Sequence, residues 1–91
     1  MSYDIRHLRA AHRFETKVDG EACQLDYSLH NGIMTITHTW VPDDVGGRGI
    51  AGELVRAAME AARGEGWKVE PACSYARSWM ERHPEYAALR A

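Results

Sequence analysis

The sequence predicts an α/β (α+β) fold, a small sheet with helices packed on it in the order β-β-β-α-β-α. Three observations predict it. Residues 13–41 largely alternate polar and apolar side chains at period two, broken by Asp19-Gly20 and Asn31-Gly32. From Ile50 the apolar spacing changes to three and four residues, the period of a helix. A short run over residues 67–71, ending on Pro71, then precedes a second helical stretch.

The elements follow in order. Residues 1–12 show no clear period and are expected to be loosely ordered. Residues 13–18 alternate, and Asp19-Gly20 marks a hairpin, because its two-residue turn needs positive φ at both positions. Leu25, Tyr27 and Leu29 share one face of the next strand, residues 21–29. Residues 33–41 are rich in β-branched side chains and form a third strand of an antiparallel meander. Pro42 stops it, having no N–H for a ladder. A helix spans residues 50–63, with Ala51, Leu54, Val55, Ala58, Met59 and Ala62 as its apolar stripe. Glu53, Arg56, Glu60 and Arg63 form its solvated face, and Gly64 and Gly66 end it. The strand at residues 67–71 comes after a crossover long enough for parallel pairing with the third. A helix over residues 75–82 closes at His83-Pro84, and Tyr86 and Leu89 fold back as a short tail.

Ninety-one residues make one domain, 1–91, whose hydrophobic content of 45% supports a modest core. Eleven Lys+Arg against 13 Asp+Glu give a net charge of −2, without the basic excess of a nucleic-acid binder. No apolar run approaches the roughly eighteen residues of a membrane span. The first eleven residues hold Asp4, Arg6 and Arg9 and no signal-like apolar stretch, so the cytoplasm is expected. In that reducing compartment Cys23 and Cys73 are expected as free thiols. His7, His12, His30 and His83 show no ligand spacing with either cysteine, and no metal is expected.

The chemistry centres on a strand, a glycine loop and a helix start: residues 36–41, then Gly46-Gly47-Arg48-Gly49, then Ile50-Ala51-Gly52. A helix start bares N–H groups without intrahelical partners and is the positive end of the macrodipole. Glycines let an anion approach that backbone, so the corner suits a phosphate or diphosphate. The plain alternative is a turn that changes chain direction. A Walker loop is excluded, since Ile50-Ala51 follows Gly49 where Lys-Ser/Thr is required. Residues 47–52 match G-x-G-x-x-G, but three antiparallel strands before the loop leave no room for a doubly wound sheet.

Thr37-His38-Thr39-Trp40-Val41-Pro42, then Gly47-Arg48-Gly49-Ile50-Ala51, then residues 66–75 (Gly66-Trp67 through Cys73-Ser74-Tyr75), then Arg82-His83-Pro84-Glu85-Tyr86 stand in an order and spacing that resembles the short, single-domain branch of the GNAT superfamily of N-acetyltransferases. The resemblance covers about residues 13–89. It implies a minimal GNAT-like fold, acetyl-CoA or CoA as the bound small molecule, and an amine as acceptor. In the superfamily the loop reads Q/R-x-x-G-x-G/A. The matching residues are Gly46, Gly47, Arg48, Gly49, Ile50 and Ala51, with Gly46 departing from the usual Gln or Arg. Backbone donors from Gly46 to Gly52 would then carry the diphosphate, with Arg48 either adding a charge contact or pointing to solvent. The pantetheine arm would pair along Thr39, Trp40 and Val41, in the manner of an added strand. The strand ending at Pro71 would splay from the third strand to admit the thioester.

Cys73 precedes a helix start, a setting that favours thiolates, and the resemblance puts it beside the reactive sulfur. It either accepts the acetyl group, or protonates or orients the CoA sulfur, or is an inert small hydrophobe. His38 shares the alternation of Ile36 and Trp40, which reads as a core histidine, with general base as the competing role. Trp40, Trp67 and Trp79 read as core or rim packing, Trp40 also as a border of the acceptor pocket. Ser74, Tyr75 and Arg77 are candidates to meet the CoA nucleotide. Three functions compete: an acetyl-CoA-dependent N-acetyltransferase, a non-catalytic acyl-CoA-binding regulatory module, and an anion-binding interaction domain. The chain is expected as a monomer or homodimer.

Overall fold

In the computed structural model, which describes residues 3–91, one sheet runs in chain order: β1 (Arg6–Leu8), β2 (Arg13–Val18), β3 (Glu21–His30), β4 (Ile33–Trp40) and β5 (Lys68–Pro71). The first four strands pair antiparallel and β5 lies parallel to β4. Both hairpins turn where the sequence indicates: Asp19 and Gly20 have φ of 51° and 79°, Asn31 and Gly32 of 51° and 76°. α1 (Ile50–Glu65) connects β4 to β5, and α2 (Ser74–Arg82) follows β5.

The start of the chain corrects its expectation of loose order. Arg6, His7 and Leu8 pair with Glu15, Phe14 and Arg13, and His12 turns the chain at a φ of 53°. Three paired residues are too few to show a period, which is why the strand is not legible locally. Met1 and Ser2 lie outside the described residues.

The core sits on one face of the sheet. Phe14, Thr16 and Val18 of β2, Cys23, Leu25 and Tyr27 of β3, Met34 and Ile36 of β4 and Val69 of β5 are buried, each set at period two. Against them pack Ile50, Leu54, Val55, Ala58, Met59 and Ala62, while Ala51 is only half-buried. Gly66 ends α1 at a φ of 77°, its N–H donating to the carbonyls of Ala62 and Arg63.

The tail changes the reading of α1's charged side. Tyr86, buried in a short helical turn (Pro84–Leu89), donates its hydroxyl to Glu60 Oε2 at 2.6 Å and accepts from Arg56 Nη1 at 3.1 Å. The Arg63 guanidinium lies 4.9 Å from the Tyr86 ring centroid. Arg56, Glu60 and Arg63 are therefore a docking strip for the tail rather than a freely solvated face. Ala91 N–H donates to the Val69 carbonyl at 2.8 Å, which covers the β5 edge. No helix among the described residues is long and apolar enough to cross a membrane.

Candidate functional site

A bulge in β4 decides what the site contains. Tyr27 pairs with Ile36 and Asp26 with His38, so Thr37 has no cross-strand partner; its Oγ1 donates to the Asp26 carbonyl at 3.3 Å. One extra residue inverts the alternation beyond it. Thr39, opposite the buried Leu25, now points to the helix side, and His38 and Trp40 point outward. This corrects the reading of His38 as a core histidine on the face of Ile36. It is exposed, across from Asp26, whose carboxylate is held by Arg13 Nε at 2.7 Å and Gln24 Nε2 at 3.1 Å. Trp40 is 52% exposed, so core packing does not describe it. Trp79 is buried, stacked 3.7 Å from the His83 ring, and Trp67 is partly buried against the core.

The inverted phase brings Thr39 to Cys73. Their Oγ1 and Sγ atoms are 3.6 Å apart. Cys73 is the N-cap of α2, its sulfur accepting from Ala76 N–H at 3.4 Å, and it is half-buried. Cys23 is different: it is fully buried, and burial pushes its thiol up, away from the reactive form. Both cysteines are free.

Pairing between β4 and β5 ends at Ile36 and Pro71. The Ile36 carbonyl takes both the Ala72 and Cys73 N–H groups at 3.0 Å, which turns the chain out of the sheet into α2. β4 runs on through Trp40 with no strand on its β5 side among the described residues, so the two part after Ile36 and Pro71. A segment of backbone edge is left open there, leading toward Val41 and Pro42.

Past Pro42 and a turn at Asp43–Val45 the glycine loop begins. Gly46 donates its N–H back to Asp43 at 3.1 Å, so it is not among the bare donors. Gly47 and Gly49 have φ of 78° and 75°, and a Cβ on either would enter open space. Gly49 caps α1 without any side-chain cap. Among the described residues, no acceptor takes the N–H groups of residues 47–52, whereas Glu53 N–H closes the first helical bond to Gly49 at 3.1 Å. The side chains around this backbone are mostly not part of it. Ile50 is buried in the core. A Cβ on Gly52 would stand 3.4 Å from Trp79 Nε1 and Tyr75 Oη, so this glycine lets α2 approach α1. Tyr75 is thereby at the α1 start, as its candidacy requires; Ser74 and Arg77 lie on α2, Arg77 exposed. Arg48 is paired through Nη1 with Asp19 Oδ2 at 2.7 Å, and its carbonyl accepts from the Tyr3 hydroxyl at 2.7 Å. Neither Tyr3 nor Asp19 stands out in the sequence for this site: Asp19 reads there as a turn residue alone. Among the described residues no group of three His, Cys, Asp or Glu side chains is gathered for a metal ion.

A sheet whose parallel partner strand parts from a bulged central strand, beside a glycine loop and helix start, defines an N-acetyltransferase-like domain. The GCN5-related N-acetyltransferase family model matches residues 13–89, and the chain belongs to that family. Protein NATD1 of Mus musculus is 30% identical over 83 residues, covering 88% of this chain and 76% of the mouse protein. Protein NATD1 of Homo sapiens is 30% identical over 83 residues, covering 88% and 74%. The solution structure of a candidate GCN5-like N-acetyltransferase from Staphylococcus aureus superposes with a TM-score of 0.77 at 26% identity, covering 98% of this chain and 88% of that one.

Proposed function

We propose that the protein binds acetyl-CoA and transfers its acetyl group to an amine. The observation that carries this reading is two stretches of backbone without partners among the described residues, the β4 edge beyond Ile36 and the amides of residues 47–52, joined by the turn at Asp43–Val45. The first offers an added-strand partner to a pantetheine-like amide chain and the second a positive helix terminus to a diphosphate. Acetyl-CoA supplies the acetyl group as an activated thioester. Thr39, Trp40 and Val41 present the strand edge, and Gly47 to Gly52 present the diphosphate donors. Tyr75 flanks the same helix start. Cys73 and Thr39 stand where β4 and β5 part, the place for the sulfur end. His38, on the opposite face of β4, is not placed beside that thiol. The acceptor proton leaves to solvent in this reading, and His38→Ala retains activity within a few fold. Two free thiols fit a reducing compartment, and the cytoplasm is the proposed setting.

A non-catalytic acyl-CoA-binding module is the second reading, favoured by one observation: the hydrogen-bond partners of Cys73 are Thr39 and Ala76, neither of which is a titratable base. Calorimetry with CoA, and CoA thiol release from acetyl-CoA over a panel of amines and peptides, separate the readings. Binding with acceptor-dependent release supports the enzyme. Binding without release from any amine leaves the module, and no heat with CoA removes both.

A further inference from the structure

We infer that Tyr3 is a positioning residue for the diphosphate loop, locking the peptide between Arg48 and Gly49 so that the Gly49 N–H faces the ligand; this rests on the acyl-CoA reading above. The loop needs such a lock. Gly47 and Gly49 flank Arg48 at φ of 78° and 75°, and glycines allow a peptide plane to turn over at little cost. A planar trans peptide holds its C=O and N–H antiparallel, so fixing one fixes the other. The Tyr3 hydroxyl donates to the Arg48 carbonyl at 2.7 Å, across 45 positions of chain. The Gly49 N–H, at the other end of that peptide, is thereby aimed away from Tyr3, and it is one of the donors without a partner among the described residues.

A second tie acts on the same residue. Asp19, at the tip of the β2–β3 hairpin, holds the Arg48 guanidinium at 2.7 Å. The pair is largely exposed, 46% and 66% on the two side chains, so its contribution to stability is small. Its geometric effect is different: the Arg48 carbonyl and side chain are both held by distant segments, Tyr3 and Asp19. The Tyr3 end is itself fixed, since Thr16 Oγ1 donates to the Asp4 carbonyl at 2.9 Å, tying the segment before β1 to buried β2.

The test is Tyr3→Phe, which keeps the ring and removes only the donor. Calorimetry compares CoA with pantetheine, which lacks the diphosphate. Tyr3→Phe is expected to weaken CoA binding about three- to tenfold, the scale of one hydrogen bond, and to leave pantetheine binding unchanged. Asp19→Asn, remote from the Tyr3 contact, should give a smaller loss with the same ligand pattern. An equal loss for both ligands would mean general loosening and overturn the inference. So would an unchanged CoA affinity in Tyr3→Phe while the unmodified protein binds CoA. No CoA binding by the unmodified protein would instead overturn the acyl-CoA reading itself. Titrating CoA against amide-labelled protein adds a direct readout: the Gly49 resonance should shift in the unmodified protein and shift less in Tyr3→Phe.

Discussion

Gly49 caps α1 at a φ of 75°, whereas Gly64 lies inside the same helix with ordinary φ and open space where a Cβ would stand. Alanine at each therefore carries opposite signs. At Gly49 the left-handed backbone opposes a Cβ, and Gly49→Ala should lower stability by about 1 kcal/mol. At Gly64 the helix gains propensity and the unfolded chain loses entropy, so Gly64→Ala should raise stability by about 0.5–1 kcal/mol. Urea titration of the two variants checks both, and a stabilised Gly49→Ala would show that the loop relaxes out of its present shape. Cys73 separates a cap from a chemistry at one atom. Cys73→Ser keeps an N-cap acceptor for Ala76 N–H, so stability should be held or slightly raised. Denaturing mass spectrometry after incubation with acetyl-CoA should then find an acetyl group on the unmodified protein that Cys73→Ser lacks. Finding neither acetylated would rule out the covalent role and leave Cys73 either to protonate or orient the CoA sulfur or to serve as an inert cap.

β1 gives the element scale its pH dependence. His7 hydrogen-bonds the Tyr27 hydroxyl through Nε2 at 2.7 Å and stacks on Phe14 at 4.1 Å. Burial first, then Arg9, holds its imidazole below the ordinary range; Glu65 pulls the other way and His12 adds to the lowering. The folded state thus prefers neutral His7, and the unfolded chain takes up the proton first as pH falls. Stability should drop as pH is lowered through about 6.5, and level off once the folded imidazole is itself protonated. Melts between pH 5 and 8 should show a shallower slope in His7→Gln than in the unmodified protein; identical slopes would remove His7 as the cause. The same element shows where the sequence stops being legible. Long alternating runs and Asp-Gly or Asn-Gly turns announce β2, β3 and β4, and three- and four-residue spacing announces α1, because each repeats a period many times. β1 is three residues long and repeats nothing. The bulge at Thr37 is written in pairing between strands rather than in any local residue. Alternation alone therefore puts His38 on the wrong face, while the Cys73 cap and the glycine loop are legible from local chemistry.

At the scale of the whole molecule, the open β4 edge and the bare amides of residues 47–52 lie side by side as backbone whose hydrogen bonds the described chain does not complete. A ligand that completes them binds the folded state and not the unfolded chain, since strand edge and helix start exist only once β4, β5 and α1 are assembled. Stability must then rise with ligand by mass action, by about 2.7 kcal/mol when free CoA is one hundred times its Kd. For a domain of 91 residues each kcal/mol moves Tm by roughly 4–8 °C, so the shift should be on the order of 10–20 °C. Dephospho-CoA keeps the diphosphate and the pantetheine arm and should retain most of the shift. Inorganic diphosphate reaches only the loop and should give a much smaller one at equal concentration. A thermal scan over the three ligands orders the parts of the site by what each contributes. Diphosphate matching CoA would make the loop a general anion site and take the β4 edge out of the binding reaction.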